Sequence, residues 1–389
     1  MAQTRTITRK KLAALGALDL VARTLHAVYK PPPRREGRPR SFLVIEPWGI
    51  GDVVLSTVAL KALRANFPDA SITLLAKEHA KELLRHSGLA DEVVVFDFPW
   101  TSFSRKFSPS RYDRGKLKEL IARLRSCDFD VSLDARRDIR SNVVAYLAGA
   151  RRRVGYDFGG GAHLLTDVLP SGLQNEHKTA DWLALLAPLG LSPRDVAPSL
   201  VVSAEESERA RQRLSAMGLS ADLPLIGVHP GASHGVRRWG GSRFAEVIDE
   251  LGSDARRQFL LFEHVPEGSA DIRPRHAVTR ATTQLREFMA LVSHCDLLLC
   301  SDSGPMHIAN ALGVPVTALF GPQRSEWYGP LGANDTVVRI EEMPCRPCFD
   351  QCIFSAPRCM NGIRPDVVAS AVEKQLARVA RTHQLAQIS

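Results

Sequence analysis

Residues 301–322 read SDSGPMHIANALGVPVTALFGP, small and acidic residues that run into an Ala-rich apolar segment and end in Phe-Gly-Pro. The run before them, CDLLLC (295–300), is short and apolar, as in a strand buried in a parallel sheet. Pro305 suits the first turn of a helix, where a missing N–H costs nothing. Gly313 suits the position just past that helix, and VPVTALF (314–320) reads as the next strand. The unit is strand, polar turn, short helix, strand. Such a turn lies at the carboxyl end of its strand, where open α/β sheets take their ligands. Free N–H groups at a helix start favour anions. Ser301, Ser303 and Gly304 add hydroxyls and close backbone approach. The stretch therefore reads as a phosphate holder, with an ordinary capped turn as the plainer alternative.

The same alternation extends in both directions. From residue 41, SFLVIEP is a strand, WGIGD a turn, and 53–68 an amphipathic helix ended by Pro68. Strands follow at 71–76, 91–98 and 129–135, with helices at about 116–126, 139–150 and 176–190. LSPRDVAPSL (191–200), with two prolines, reads as a boundary. The pattern then restarts, with strands at 224–231, 257–264, 295–300, 314–320 and 336–340, and helices at 242–251, 284–293 and 365–381. Two consecutive α/β halves predict two doubly wound, Rossmann-like domains, 41–198 and 199–389, facing a central cleft. The last helix is expected on the second domain or packed back on the first.

The net charge of +9 over 389 residues is unevenly spread. Residues 1–40 hold ten Lys or Arg against Asp19 and Glu36, a local excess of +8 that leaves +1 for the rest. Leu12, Leu15, Leu18, Val21, Ala22 and Leu25 recur at helical spacing in this basic tract. It reads as an amphipathic helix and linker on an anionic membrane surface, or as a helix packed on the protein body. The tract lacks aromatic platforms and the body is not basic, so no nucleic-acid partner is expected. No apolar run reaches the length of a bilayer span, and no secretory signal is expected at the start.

Each half opens with a polar turn. In EPWGIGDVVLSTVAL (46–60), Gly49 and Gly51 permit a tight turn beside a ligand. Asp52 at the helix start reads either as an N-cap or as a general base. In HPGASHGVRRWGGSRF (229–244), a Gly-rich turn precedes Arg237 and Arg238, which suit a diphosphate or a solvated basic turn.

These three stretches resemble glycosyltransferase family 9, the ADP-heptose:lipopolysaccharide heptosyltransferases. GIGDVVLSTVALKALRANFP is similar to the family's Gly-Asp turn and helix. HPGASHGVRRWGGSRF is similar to its Gly-Ala, then Lys/Arg-x-Trp-Pro, segment, and 301–322 to its Asp-Thr/Ser-Gly-x-x-His signature. The resemblance covers about 41–380. It implies a GT-B fold and inverting transfer of heptose from ADP-heptose to the lipopolysaccharide core, on the cytoplasmic face of the inner membrane. It implies Asp52 as general base, with Arg237, Asp302, Ser303, Gly304 and His307 at the donor diphosphate. No obligatory catalytic metal is implied. Where the family has an acid for the nucleotide ribose, Glu263 and Glu267 both stand near. Trp239 is followed by Gly240, where proline is usual. Two other classes fit the same motifs: a GT-B nucleotide-sugar epimerase, and a non-catalytic relative that binds lipopolysaccharide precursors. Acceptor contacts are expected from the loop 99–115.

Four of the seven cysteines stand apart from this signature. Cys345, Cys348, Cys352 and Cys359 form a Cys-x2-Cys-x3-Cys-x6-Cys run. Four thiolates so close suit one structural zinc or iron ion, or free thiols in a reducing compartment.

Overall fold

The computed structural model describes residues 9–101, 112–157, 160–170, 176–194, 196–263 and 272–388. Two compact units emerge. One comprises the described residues up to Lys81 with Gly88–Val196, the other Glu82–Ser87 with Ala197 onward.

In the first unit β1 (Ser41–Glu46) is buried from Phe42 to Glu46, because other elements cover both of its faces. It is flanked by β2 (Ser71–Ala76) and then β3 (Glu92–Val95) on one side. On the other side lie β4 (Val131–Leu133), β5 (Arg152–Tyr156) and β6 (Asp167–Leu169). The order is β3-β2-β1-β4-β5-β6, and every pairing is parallel. Leu43, Ile45, Leu75, Phe98, Leu124 and Phe129 form one core of this unit.

The second unit repeats the plan with β7 (Leu225–His229), β8 (Gln258–Glu263), β9 (Thr279–Thr282), β10 (Leu297–Ser301), β11 (Val316–Phe320) and β12 (Thr336–Arg339). Its order, β12-β11-β10-β7-β8-β9, is again all parallel. Read from β9, this is the doubly wound order of the first sheet, reversing between β7 and β10. The helix Pro365–Ile388 packs on helix Gly241–Leu251 and on β11 and β12, through Val368, Ala369 and Val372.

Several elements escape a reading by apolar runs. β6 is an edge strand of only three residues, β9 is an edge strand that exposes Arg280 and Thr282, and β5 opens on two arginines. The helix Ala204–Ala216 is mostly polar, but Ser203 and Glu206 close a reciprocal capping box at its start.

The N-terminal helix spans Arg9–Val28. Ala22 packs in a cluster with Ile139, Tyr146 and Leu164. The Gly161 N–H donates to Asp19 at 2.9 Å, and the Tyr146 hydroxyl donates to the Tyr29 carbonyl. The packed face thus runs through Asp19, Ala22 and His26 to Tyr29. Leu18, Leu20 and Val28 are exposed. Among the described residues, no helix is long and apolar enough to cross a membrane.

Candidate functional site

Asp52 follows β1 directly, in the first turn of helix Ile50–Asn66. Gly49 is the capping residue, so Asp52 is the third helical residue and not the N-cap itself. The Gly49 N–H donates back to Asp52 Oδ2 at 3.0 Å, the carboxylate half of a capping box. Its other oxygen, Oδ1, lies 2.7 Å from Arg136 Nη2. Arg136 comes from the turn after β4, the next strand in the sheet. It also grips Glu46 at the end of β1, with Nε 2.9 Å from both carboxylate oxygens and Nη2 2.7 Å from Oε1.

Glu46 is fully buried. Burial pushes its pKa up to about 8, against the pull of Arg136 and with a further push from Asp52. The Arg136 pKa also rises, for a different reason. Burial disfavours its charge, but Asp52 and Glu46 outweigh it and raise its pKa above the ordinary arginine value. Asp134 beside it is pushed up to about 7 by burial. One of its oxygens accepts from the Arg136 backbone N–H at 2.9 Å; the other has no partner among the described residues. Asp52, Leu55, Ala135, Arg136, Lys178, Asp181 and Trp182 line a cavity of about 20 Å³, the space of one small polar group or water. Burial lowers the Lys178 pKa, opposed by Asp181, whose carboxylate it meets at 2.7 Å. A carboxylate fixed at both oxygens, next to a small cavity, can take a proton from a hydroxyl placed there.

The second unit gathers the other residues. Ser301 ends β10 and is fully buried, hydroxyl included, so it is part of the sheet and not an open ligand. Ser303 precedes helix Gly304–Ala311 in extended backbone, and its hydroxyl donates to the Ser301 carbonyl at 3.1 Å. His307 lies within that helix and is 8% exposed. Gly313 follows the helix at φ +80°, which explains the glycine there.

Arg237 ends a short 3₁₀ turn after β7. It meets Asp302 at 3.3 Å and Asp350 at 2.7 and 2.6 Å. Burial works against its charge, yet the two acids push its pKa above the usual value. Arg238 instead donates to the Ala232 carbonyl at 3.2 Å. Trp239 is buried and donates to the Ile363 carbonyl at 3.1 Å. Gly240 adopts φ +104°, which proline cannot reach, so the departure from the usual proline has a backbone cause. Glu263 ends β8 and pairs with Arg280 at 2.5 Å; Glu267 lies outside the described residues. Most of the loop 99–115 does too.

Cys345, Cys348 and Cys352 are half-buried and Cys359 is buried, and none forms a disulfide. Burial first, and then neighbouring thiols, raise the pKa of Cys348 and Cys359. As placed they do not make a metal centre: among the described residues, no group of three or more His, Cys, Asp or Glu is arranged to hold an ion.

The model of glycosyltransferase family 9 (heptosyltransferase) matches residues 117–356. The chain belongs to glycosyltransferase family 9. It is 26% identical over 327 residues to lipopolysaccharide heptosyltransferase 2 of Escherichia coli strain K12, covering 77% of this chain and 88% of that one. Among solved structures, a family 9 glycosyl transferase from Veillonella parvula superposes with a TM-score of 0.70 at 23% identity, over 89% of this chain and 99% of that one. The structure of E. coli ADP-heptose lps heptosyltransferase II gives 0.67 at 23% identity, over 87% and 99%. These likenesses show the GT-B fold, and the family makes the protein a glycosyltransferase. Within this family 9 enzyme, sequence reasoning pointed to Asp52 and Arg237 but missed Arg136, Glu46, Lys178 and Asp350. Their one local signal was the pair Arg136-Arg137 directly after a strand.

Proposed function

We propose that this enzyme transfers a heptose from ADP-heptose to a hydroxyl of the lipopolysaccharide inner core, with inversion. The observation that carries the reading is Asp52, held by Gly49 and Arg136 at the edge of a cavity. In this scheme Asp52 accepts the acceptor hydroxyl's proton. The freed oxygen bonds to the anomeric carbon while the carbon–oxygen bond to ADP breaks, and ADP leaves with that electron pair. Arg237 and the N–H groups at the start of helix Gly304–Ala311 stabilise charge on the diphosphate. In the same scheme Asp302 orients Arg237, His307 contributes from the same helix, and Glu263 would leave its pair with Arg280 to bind the ribose. No chemical step is assigned to a metal.

The family membership and the relatives named above support donor and acceptor class. The enzyme is proposed to work at the cytoplasmic face of the inner membrane, bound to anionic lipid by the basic tract with Leu20 and Val28. The experiment is incubation with ADP-heptose and truncated core acceptors, read by mass spectrometry. A heptose added to acceptor supports the reading. Sugar retained on the nucleotide in altered form, or no reaction with any acceptor, overturns it.

A structural zinc or iron at Cys345, Cys348, Cys352 and Cys359 rests on their spacing alone. It predicts about one metal per chain in protein purified without chelator, lost in Cys345→Ser/Cys348→Ser. Metal-free protein of full activity rules it out.

A further inference from the structure

The cysteine segment has no part in the scheme above, yet it touches the donor side at three places. The Cys348 N–H donates to the Pro322 carbonyl at 3.1 Å, and Arg346 Nε to the Gly321 carbonyl at 2.8 Å. Both carbonyls lie just after β11, in the Phe-Gly-Pro end of the signature. The Phe349 ring stacks on Trp327, with centroids 6.0 Å apart and planes at 26°. At the third place, after the carbonyls behind β11 and the Trp327 ring, the Asp350 carboxylate takes the Nε–Nη2 edge of Arg237 at 2.7 and 2.6 Å.

Two features mark this last contact as built. Phe349 and Asp350 both have left-handed backbone, φ +51° and +65°, a conformation that is uncommon for phenylalanine and that aspartate adopts more readily. The geometry is also the paired two-point grip that fixes a guanidinium plane. Asp302 holds Arg237 more loosely, through Nη1 at 3.3 Å. With Asp350 in place, the plane of Arg237 is set and Nη1 is the nitrogen turned to the Ser301–Gly304 turn. Without Asp350, Asp302 is the strongest remaining partner. The guanidinium then closes on Asp302, and a phosphate must compete with that pair.

We propose that Asp350 is a positioning residue for donor binding: it fixes Arg237 for the diphosphate and ties donor affinity to the state of the cysteine segment. The inference rests on the donor site proposed above. Linkage makes the coupling reciprocal, since whatever shifts the segment shifts ADP affinity and the reverse.

The test is calorimetry of ADP binding to the full chain. Asp350→Ala weakens ADP about tenfold, as loss of a charge-assisted two-point grip implies, and Asp350→Asn, which keeps one acceptor oxygen, falls between. N-ethylmaleimide on the segment thiols, located by mass spectrometry, weakens ADP in the wild type but adds nothing further in Asp350→Ala. A role in folding alone gives no such pattern. The proposal is overturned if Asp350→Ala binds ADP within about twofold of wild type, or if alkylation weakens both proteins equally. Should Asp350→Ala not fold, Asp350→Asn carries both comparisons. Loss of binding in Arg237→Ala but not in the Asp350 variants sinks this proposal alone. A wild-type chain that ignores ADP sinks the donor site beneath it as well.

Discussion

Asp52 uses one oxygen to cap its own helix and the other to meet Arg136, so a single residue does two things that a substitution can separate. Asn keeps the size and can still accept from Gly49, but its amide cannot take a proton. Asp52→Asn is expected to lower transfer by about 10²–10⁴, the usual worth of a general base, with ADP affinity unchanged. Acceptor-dependent ADP release and separate calorimetry check both halves. Turnover within about threefold of wild type would reduce Asp52 to a helix-start residue. Asp134 carries a pH prediction. Its folded pKa, about 7, lies above the ordinary 3.8 because burial penalises the anion. The folded state therefore holds a proton that the unfolded state releases, and stability from this group falls as pH rises from about 4 to about 7. Asp134→Asn removes that loss. Its stability relative to wild type should climb through this window and level off above it, by at most about 4 kcal/mol. Denaturant titrations at pH 4, 5.5, 7 and 8 would show it; a pH-independent difference counts against a protonated Asp134.

At the scale of elements, turns define the site more than strands do. Arg237, Trp239 and the helix Gly241–Leu251 follow one another within a few residues, and Gly240 at φ +104° makes the corner. A Cβ there has open space around it, so the cost of Gly240→Ala is backbone strain alone. The expected loss is about 1–3 kcal/mol in the melting of the second unit. No change in melting would mean that the corner relaxes to another conformation. The elements that were legible along the chain are those with strong local pattern. β1, β2, β10 and β11 are apolar because both faces are covered, and the helix from Gly304 is bracketed by Pro305 and Gly313. β6 was not legible because three residues are too few to show a period, and β9 because Thr279–Thr282 carries one apolar residue, Ala281; the other two edge strands, β3 and β12, keep paired or tripled valines.

At the scale of the whole molecule, the N-terminal tract does more than carry charge. Its helix places Ala22 among Ile139, Tyr146 and Leu164. Arg34 pairs with Asp167 at 2.8 Å, and Arg35 reaches Asp128 and Asp130. Removing residues 1–40 is therefore expected to destabilise the first unit by on the order of 2–4 kcal/mol, from lost burial and hydrogen bonds. It should also weaken binding to anionic vesicles, at roughly 1 kcal/mol per basic residue near the surface. Thermal melting and vesicle sedimentation separate the effects: unchanged sedimentation would leave the helix a packing element only.

The sequence by itself determined the alternation of strands and helices, the two doubly wound halves, and the turns bearing Asp52, Arg237 and Ser301–Gly304. Such features are local, written in residues a few places apart that share a strand face, a helix turn or a cap. Only the tertiary structure decided what those side chains meet. Glu46 and Arg136 are 90 residues apart, and Arg237 and Asp350 are 113 apart. The sheet order places β4 beside β1, and the path of the chain after β11 brings Asp350 to Arg237. Charged pairs of this kind leave no period in the chain, because a guanidinium is matched to a carboxylate by distance and geometry in space and not by spacing along the backbone.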